Sequence, residues 1–359
     1  MRNTHQVTFV LPGDHRSGGV RVTVLMANLL LERGHRVRIV CPKKRFLTQE
    51  GLKRIVRSVL NRGHNDGWLH QFRGSLETYG KLDDLDYASD ETVIAVGTYM
   101  VAEVREMKKP VMKVRFNHGF PAQPDAAQIA AWHGRMPTIT VSHTLIPRLQ
   151  AQTDGSVWGV VPNGIDPNEY FSDPSTLRDG IGALYNPHPN KAPENLLAVL
   201  WDCHQRWPGV LQRVFGTEAR PAGLEHVEYT RLPSVDAARE IYNRSKVWLL
   251  TSRTEGLPGV VLEAMACGCV VVSTDNEGSL EIMRDGENGV IVPRDDVAAH
   301  VEAVGRVLAD EPLRQALSDG AQRTSQGFTW QRAADRMEAF LADLPGMDAL
   351  ESVRDFKES

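Results

Sequence analysis

The sequence predicts an α/β protein of two doubly wound units of similar size, and three observations carry that expectation. Short β-rich runs alternate with apolar or amphipathic helical segments from residue 7 onward. The alternation pauses over residues 163–182, a stretch rich in proline, glycine and aspartate, and then restarts. The length of 359 residues suits about two domains.

In the first unit, residues 7–11 read as a strand and residues 13–19 as a polar, glycine-bearing loop. Residues 20–33 read as a buried helix stopped by Gly34. A strand over 36–40 follows, with further strands at 92–96, 111–116, 138–141 and 157–161. In the second unit, strands fall at 181–185, 212–215, 247–251, 270–273 and 290–292. Helices fall at 193–207, 235–245 and 258–267, with Pro193 and Pro258 suited to first helical positions. Residues 330–359 read as helical, interrupted at Pro345.

Hydrophobic residues at 42% and charged residues at 24% exclude wholesale disorder. The net charge of −4 excludes a strongly basic nucleic-acid binder as the default. That total hides a split of +8 over residues 1–165 and −12 over 166–359, so the first half is the one expected to meet an anionic partner. Cys41, Cys203, Cys267 and Cys269 are too sparse for a disulfide framework and point to a reducing compartment. No apolar run is long enough to span a membrane, and the N-terminus lacks a signal-peptide layout, so a cytoplasmic location is expected.

The sharpest chemistry lies between Ser252 and Gly268. A strand feeds a short loop, and a helix opens near Pro258. Free amides at Gly259, Val260 and Val261 would sit at a positive helix end, a ready anion site. Glu263 is the one charge in a helix that is apolar almost all round. It could simply complement the helix dipole. With Glu255 just before the same helix, however, one unit offers acceptors for hydroxyls beside donors for phosphate, which suits a sugar nucleotide.

These residues resemble the signature of retaining GT-B glycosyltransferases of family 4, the glycosyl transferases of group 1. The two glutamates are separated by seven intervening residues, within EGLPGVVLEAMACG. VVPNGID at 160–166, VSHTLIPRL at 141–149 and the pair Gly18-Gly19 add matching segments in the same order. The resemblance covers most of the chain. It implies two Rossmann-like domains facing each other across a cleft: 1–165 on the acceptor side, 166–335 binding the nucleotide sugar, and 336–359 as a helical segment crossing back to the first domain.

The resemblance also implies roles. Glu263 would bind the ribose hydroxyls and Glu255 the donor sugar. The amides of Gly259, Val260 and Val261 would hold sugar or diphosphate, with Gly18 and Gly19 approaching the phosphates from the other domain. His118 would contact the sugar near the reacting carbon, although alone it reads equally as a strand-end histidine. The base would lie near Arg231 and Leu232. Lys191 matches a lysine that neutralises the leaving diphosphate, against the ordinary reading of a surface lysine. The arginine that usually precedes it is replaced at Tyr185 or Asn186, so Lys191, the helix end, Arg253 or Arg16 would have to compensate. The expected activity is metal-independent transfer of a hexosyl or deoxyhexosyl unit to a glycan, lipid-linked or small-molecule hydroxyl, with no cofactor beyond the nucleotide-sugar donor. The competing readings are an epimerase or hydrolase of the same fold and a non-catalytic sugar-nucleotide-binding subunit.

Three further signals carry less. Asp84-Leu85-Asp86 has the form of a metal motif but sits in an acidic stretch that reads as a solvated loop. Cys267-Gly268-Cys269 lacks a second ligand pair at zinc spacing. Residues 43–62 carry +6 with apolar residues at helical spacing. They read as a surface helix packed on the core, whose basic face could attract a phosphorylated or lipid-linked acceptor or make peripheral membrane contact.

Overall fold

The computed structural model of the chain describes residues 4–14, 17–43, 67–119, 126, 129–130, 136–152 and 157–344. Arg16, all of the basic stretch after Lys43, and the segment after Leu344 lie outside the described residues.

The first unit runs β1 (Gln6–Val10), α1 (Gly18–Glu32), β2 (Arg36–Pro42), β3 (Ser75–Tyr79), β4 (Glu91–Val96), α2 (Thr98–Glu106), β5 (Met112–Asn117), β6 (Thr138–Thr140), α3 (Ile146–Gln152) and β7 (Val157–Val160). Its sheet is parallel, in the order β3-β2-β1-β4-β5-β6-β7. The central strands are apolar on both faces because helices cover both faces. α1 begins two residues earlier than spacing alone suggests. Ser17 caps it by accepting from the Val20 amide at 3.4 Å, so both glycines fall inside the first turn. Gly34, at φ +92°, ends it as expected.

The second unit runs β8 (Gly180–Tyr185), α4 (Pro193–Arg206), β9 (Leu211–Gly216), β10 (Glu228–Arg231), α5 (Val235–Arg244), β11 (Ser245–Leu250), α6 (Gly259–Ala266), β12 (Val270–Thr274), α7 (Glu277–Ile282), β13 (Val290–Val292), α8 (Val297–Ala309) and α9 (Glu311–Ser325). Its sheet is also parallel, ordered β10-β9-β8-β11-β12-β13. Pro193 opens α4 as expected, but Pro258 is the N-cap of α6, in extended conformation, rather than its first helical residue.

A last helix, α10 (Trp330–Asp343), returns to the first unit. Arg33, just past α1, donates to Asp335 and Glu338 at 2.7 Å each, and His35 meets Glu338 at 2.9 Å. The outgoing and returning chains pass side by side. The Ile165 amide donates to the Phe328 carbonyl at 2.9 Å, and a Cβ on Gly164 would lie 2.6 Å from the Thr329 carbonyl carbon. Only a glycine fits that approach.

Strand order places the site. β1 lies between β2 and β4, and β8 lies between β9 and β11, so each sheet reverses its winding at that strand. Ligands in open α/β sheets bind beyond the carboxyl ends of strands at such points. The described segments at these ends are 11–14, Ser17 and Gly97 in the first unit, and 186–192 and 251–258 in the second.

Candidate active site

The segment leaving β11 reaches the other domain by backbone contact. A Cβ on Gly256 would lie 2.7 Å from the His118 carbonyl carbon and 3.1 Å from Gly119 Cα. His118 in turn stacks on Phe116 at 4.1 Å between ring centroids, and a Cβ on Gly19 would lie 3.6 Å from its ring. Gly19, His118 and the Glu255-Gly256 turn therefore form one continuous wall across the cleft.

On the first-domain side, a cavity of about 130 Å³ opens among Ser17, Gly19, Arg115, Asn117 and His118. Neither ring nitrogen of His118, nor the Asn117 side-chain nitrogen, has a hydrogen-bond partner among the described residues. Buried polar groups are ordinarily paired, so these atoms are open to a partner on the cavity side. Burial pushes the His118 pKa down to about 3, so the ring is neutral at physiological pH.

On the second-domain side, Lys191 Nζ bonds both Glu255 oxygens at 2.6 Å, and the Ser252 hydroxyl donates to Glu255 at 2.7 Å. Lys191 comes from the turn between β8 and α4, where Ala192 adopts φ +46°. Glu263, one turn into α6, accepts from the Tyr242 hydroxyl at 2.8 Å and from Arg21 Nη1 at 2.6 Å. Burial, and then the Glu263 charge, hold the Tyr242 phenol well above its usual pKa.

Arg21 belongs to α1 of the first domain, so this ion pair spans the cleft. Its other nitrogen lies 3.5 Å from the Tyr170 hydroxyl, and its guanidinium sits 5.3 Å from the Trp68 ring centroid. Sequence reasoning passed over Arg21. The available signal was the same one that marked Glu263: a charge early in an otherwise apolar helix, here two residues after the glycine pair.

The remaining expected residues divide. The α6 end is anion-ready at Gly259 and Val260, but not at Val261, whose amide bonds the Pro258 carbonyl at 3.1 Å. That tight first turn corrects the expectation of three free amides. Arg231 and Leu232 lie at the carboxyl end of β10. Arg231 is exposed and donates to the Thr217 carbonyl, and Leu232 holds φ +52° with its amide on the Gly216 carbonyl at 2.8 Å. Arg253 points away from the donor groups into an ion-pair set with Glu194 at 2.5 Å and Asp295 at 2.7 Å. It is committed there and does not join Lys191. Among the described residues, no group of three His, Cys, Asp or Glu side chains is placed to hold a metal. No helix among them is long and apolar enough to cross a membrane.

Residues 212–324 match the family model of the glycosyl transferases, group 1. The match takes in α6 with Glu255 and Glu263, and β10 with Arg231. Among curated relatives, a D-inositol 3-phosphate glycosyltransferase of Corynebacterium diphtheriae is 29% identical over 44% of this chain and 41% of its own length. A GDP-mannose-dependent alpha-(1-6)-phosphatidylinositol monomannoside mannosyltransferase of Mycolicibacterium smegmatis is 31% identical over 48% of this chain and 52% of its own. The chain thus spans about half or less of these relatives. Solved structures match far more of it. HepE of Anabaena in complex with UDP-glucose superposes with a TM-score of 0.75 over 94% of this chain and all of that one, at 16% identity. WaaG, a glycosyltransferase involved in lipopolysaccharide biosynthesis, gives 0.67 over 94% at 14%. The fold is GT-B, as the sequence led us to expect.

Proposed function

We propose that this protein is a retaining glycosyltransferase, moving a hexosyl or deoxyhexosyl unit from a nucleotide-diphosphate sugar to a hydroxyl acceptor. The acceptor is a glycan, a lipid-linked sugar or a small molecule. One observation carries the reading. Two carboxylates, Glu255 and Glu263, sit on one strand–loop–helix unit at a cleft, and each already holds a cation at 2.6 Å. Carboxylates suit the hydroxyls of a ribose and a sugar, and the helix end and Lys191 suit the phosphates between them.

In this reading Glu263 holds the ribose and Glu255 the sugar, while the base rests near Arg231 and Leu232. Lys191 and the amides of Gly259 and Val260 stabilise the charge that develops on the leaving diphosphate. They are fixed before the reaction, so little reorganisation is needed. His118 is neutral and cannot serve as a cation. It offers hydrogen bonds to the sugar beside the glycine pair Gly18-Gly19. Among the described residues no side chain of the cleft reads as a strong general base, which agrees with the departing diphosphate taking the acceptor's proton on the same face. Closure of the cleft supplies positioning.

The test is transfer from a panel of UDP-, GDP- and ADP-sugars to a panel of hydroxyl acceptors, followed by proton NMR. An axial donor giving an axial product, with loss of transfer in Glu255→Gln, supports the reading. Full activity in both Glu255→Ala and Lys191→Ala would remove it.

A further inference from the structure

The ion pairs of the cleft show an uneven supply of charge. Lys191 is held by both oxygens of Glu255, and Arg253 by Glu194 and Asp295. Another cation of the cleft among the described residues is Arg21, which the first domain delivers to Glu263 at 2.6 Å, with Glu169 farther off at 3.9 Å. Its side chain is 26% exposed and stands on the first turn of α1, the turn that also carries Gly19. Burial works to lower its pKa, but the Glu263 and Tyr170 contacts outweigh it, so the guanidinium stays charged.

The chemistry of partner exchange decides what this pair can do. A carboxylate can accept from a cation or from a pair of hydroxyls, the cation being the stronger single partner. A phosphate, having no proton to give at neutral pH, needs donors and gains most from cations. A ligand presenting vicinal hydroxyls next to phosphates therefore satisfies both ends of an Arg–Glu pair at once. The hydroxyls take the glutamate, and the freed guanidinium takes the phosphate. Glu263 lies four residues into α6, about 6 Å along the axis from the helix start where an anion would sit. An arginine side chain covers that displacement by changing rotamers.

We propose that Arg21 is the phosphate-binding cation of the donor site, supplied in closure by the first domain. It stands in for a second basic residue after β8, where the chain has Tyr185 and Asn186. This rests on the nucleotide-sugar reading above, and it makes Glu263 and Arg21 a coupled pair. Binding of the nucleoside moiety releases the guanidinium, and the guanidinium then ties the diphosphate to the first domain. Arg21 acts on phosphate, so its contribution is confined to ligands that carry one.

The experiment compares wild type, Arg21→Ala and Arg21→Lys by calorimetric titration with UDP, GDP, uridine and guanosine, with donor turnover measured in parallel. Arg21→Ala is expected to bind the preferred nucleoside diphosphate about 10- to 100-fold more weakly, as for loss of one charged hydrogen bond. The parent nucleoside should bind Arg21→Ala at least as tightly as wild type, because it carries no phosphate to lose and no longer has to displace the guanidinium from Glu263. Arg21→Lys recovers part of the loss and transfers at a rate between the two. Equal or tighter diphosphate binding by Arg21→Ala, with transfer intact, would show Arg21 to be only a competitor for Glu263 and would overturn the proposal. If wild type itself binds neither diphosphate nor nucleoside, the underlying nucleotide-sugar reading fails instead. A circular dichroism melt within a few degrees of wild type excludes misfolding as the cause.

Discussion

Gly256 offers a direct way to ask whether the two domains must meet at His118. A Cβ there would lie 2.7 Å from the His118 carbonyl carbon, closer still to its oxygen, and 3.1 Å from Gly119 Cα. The three nearest neighbours all belong to the first domain, and Gly256 does not carry a positive φ, so the tightest clash of Gly256→Ala falls on the contact between domains. Ordinary carbon–carbon contact is near 3.7 Å, so the His118–Gly119 backbone has to retreat by about 1 Å. A misplacement of that size costs about 100-fold in rate, equivalent to about 2.7 kcal/mol of transition-state stabilisation. The expected result is a fall of about that size in kcat/KM for Gly256→Ala, with nucleotide affinity within about threefold and an unchanged melting temperature. Gly209→Ala, where a Cβ meets nothing within 4 Å, is the control. Gly256→Ala turning over within about threefold of wild type would refute the claim that this contact shapes the reacting geometry.

Other outcomes follow from the same contacts. Burial depresses the His118 pKa to about 3 against 6.5 in the unfolded chain, so the unfolded state binds the extra proton in that window. Stability is then full above pH 6.5 and falls by about 1.4 kcal/mol per unit below it, and urea titrations of wild type against His118→Phe should show the variant's slope to be flatter. Tyr242→Phe removes the hydroxyl at 2.8 Å from Glu263 and should weaken nucleoside binding by about tenfold, read by calorimetry. Cys41, Cys203 and Cys269 have thiols pushed up to about 12, chiefly by burial, so mass spectrometry should find them unalkylated by iodoacetamide in the native protein at pH 8 and fully alkylated in urea.

Much of the fold was legible because central strands and buried helices carry dense local signals. Val270–Thr274 and the apolar helix at Gly259–Ala266 could be read within a residue or two. β3 and β10 were missed because edge strands face water along much of their length. Ser75–Tyr79 and Glu228–Arg231 are short, polar and mostly exposed, so no apolar run announces them. Pro258 was placed one residue too far in, since a proline suits both the first helical position and the residue capping it. At the site, Glu255 and Glu263 could be named from their place around one helix start and Lys191 from the family resemblance, but their partners could not. Arg21 and Glu263 are 242 residues apart in sequence, and only the meeting of the two domains at the carboxyl ends of their strands brings them together. The same holds for Tyr242, a core tyrosine by composition, whose hydroxyl happens to end on the one buried carboxylate of α6.

The most direct test of the central claim is calorimetric titration of wild type and Glu263→Gln with UDP, GDP and ADP. If the cleft is a nucleotide-sugar site built around Glu263, at least one diphosphate binds wild type saturably and binds the variant at least about tenfold more weakly. No binding of any of the three to wild type, or equal binding to both proteins, would contradict it.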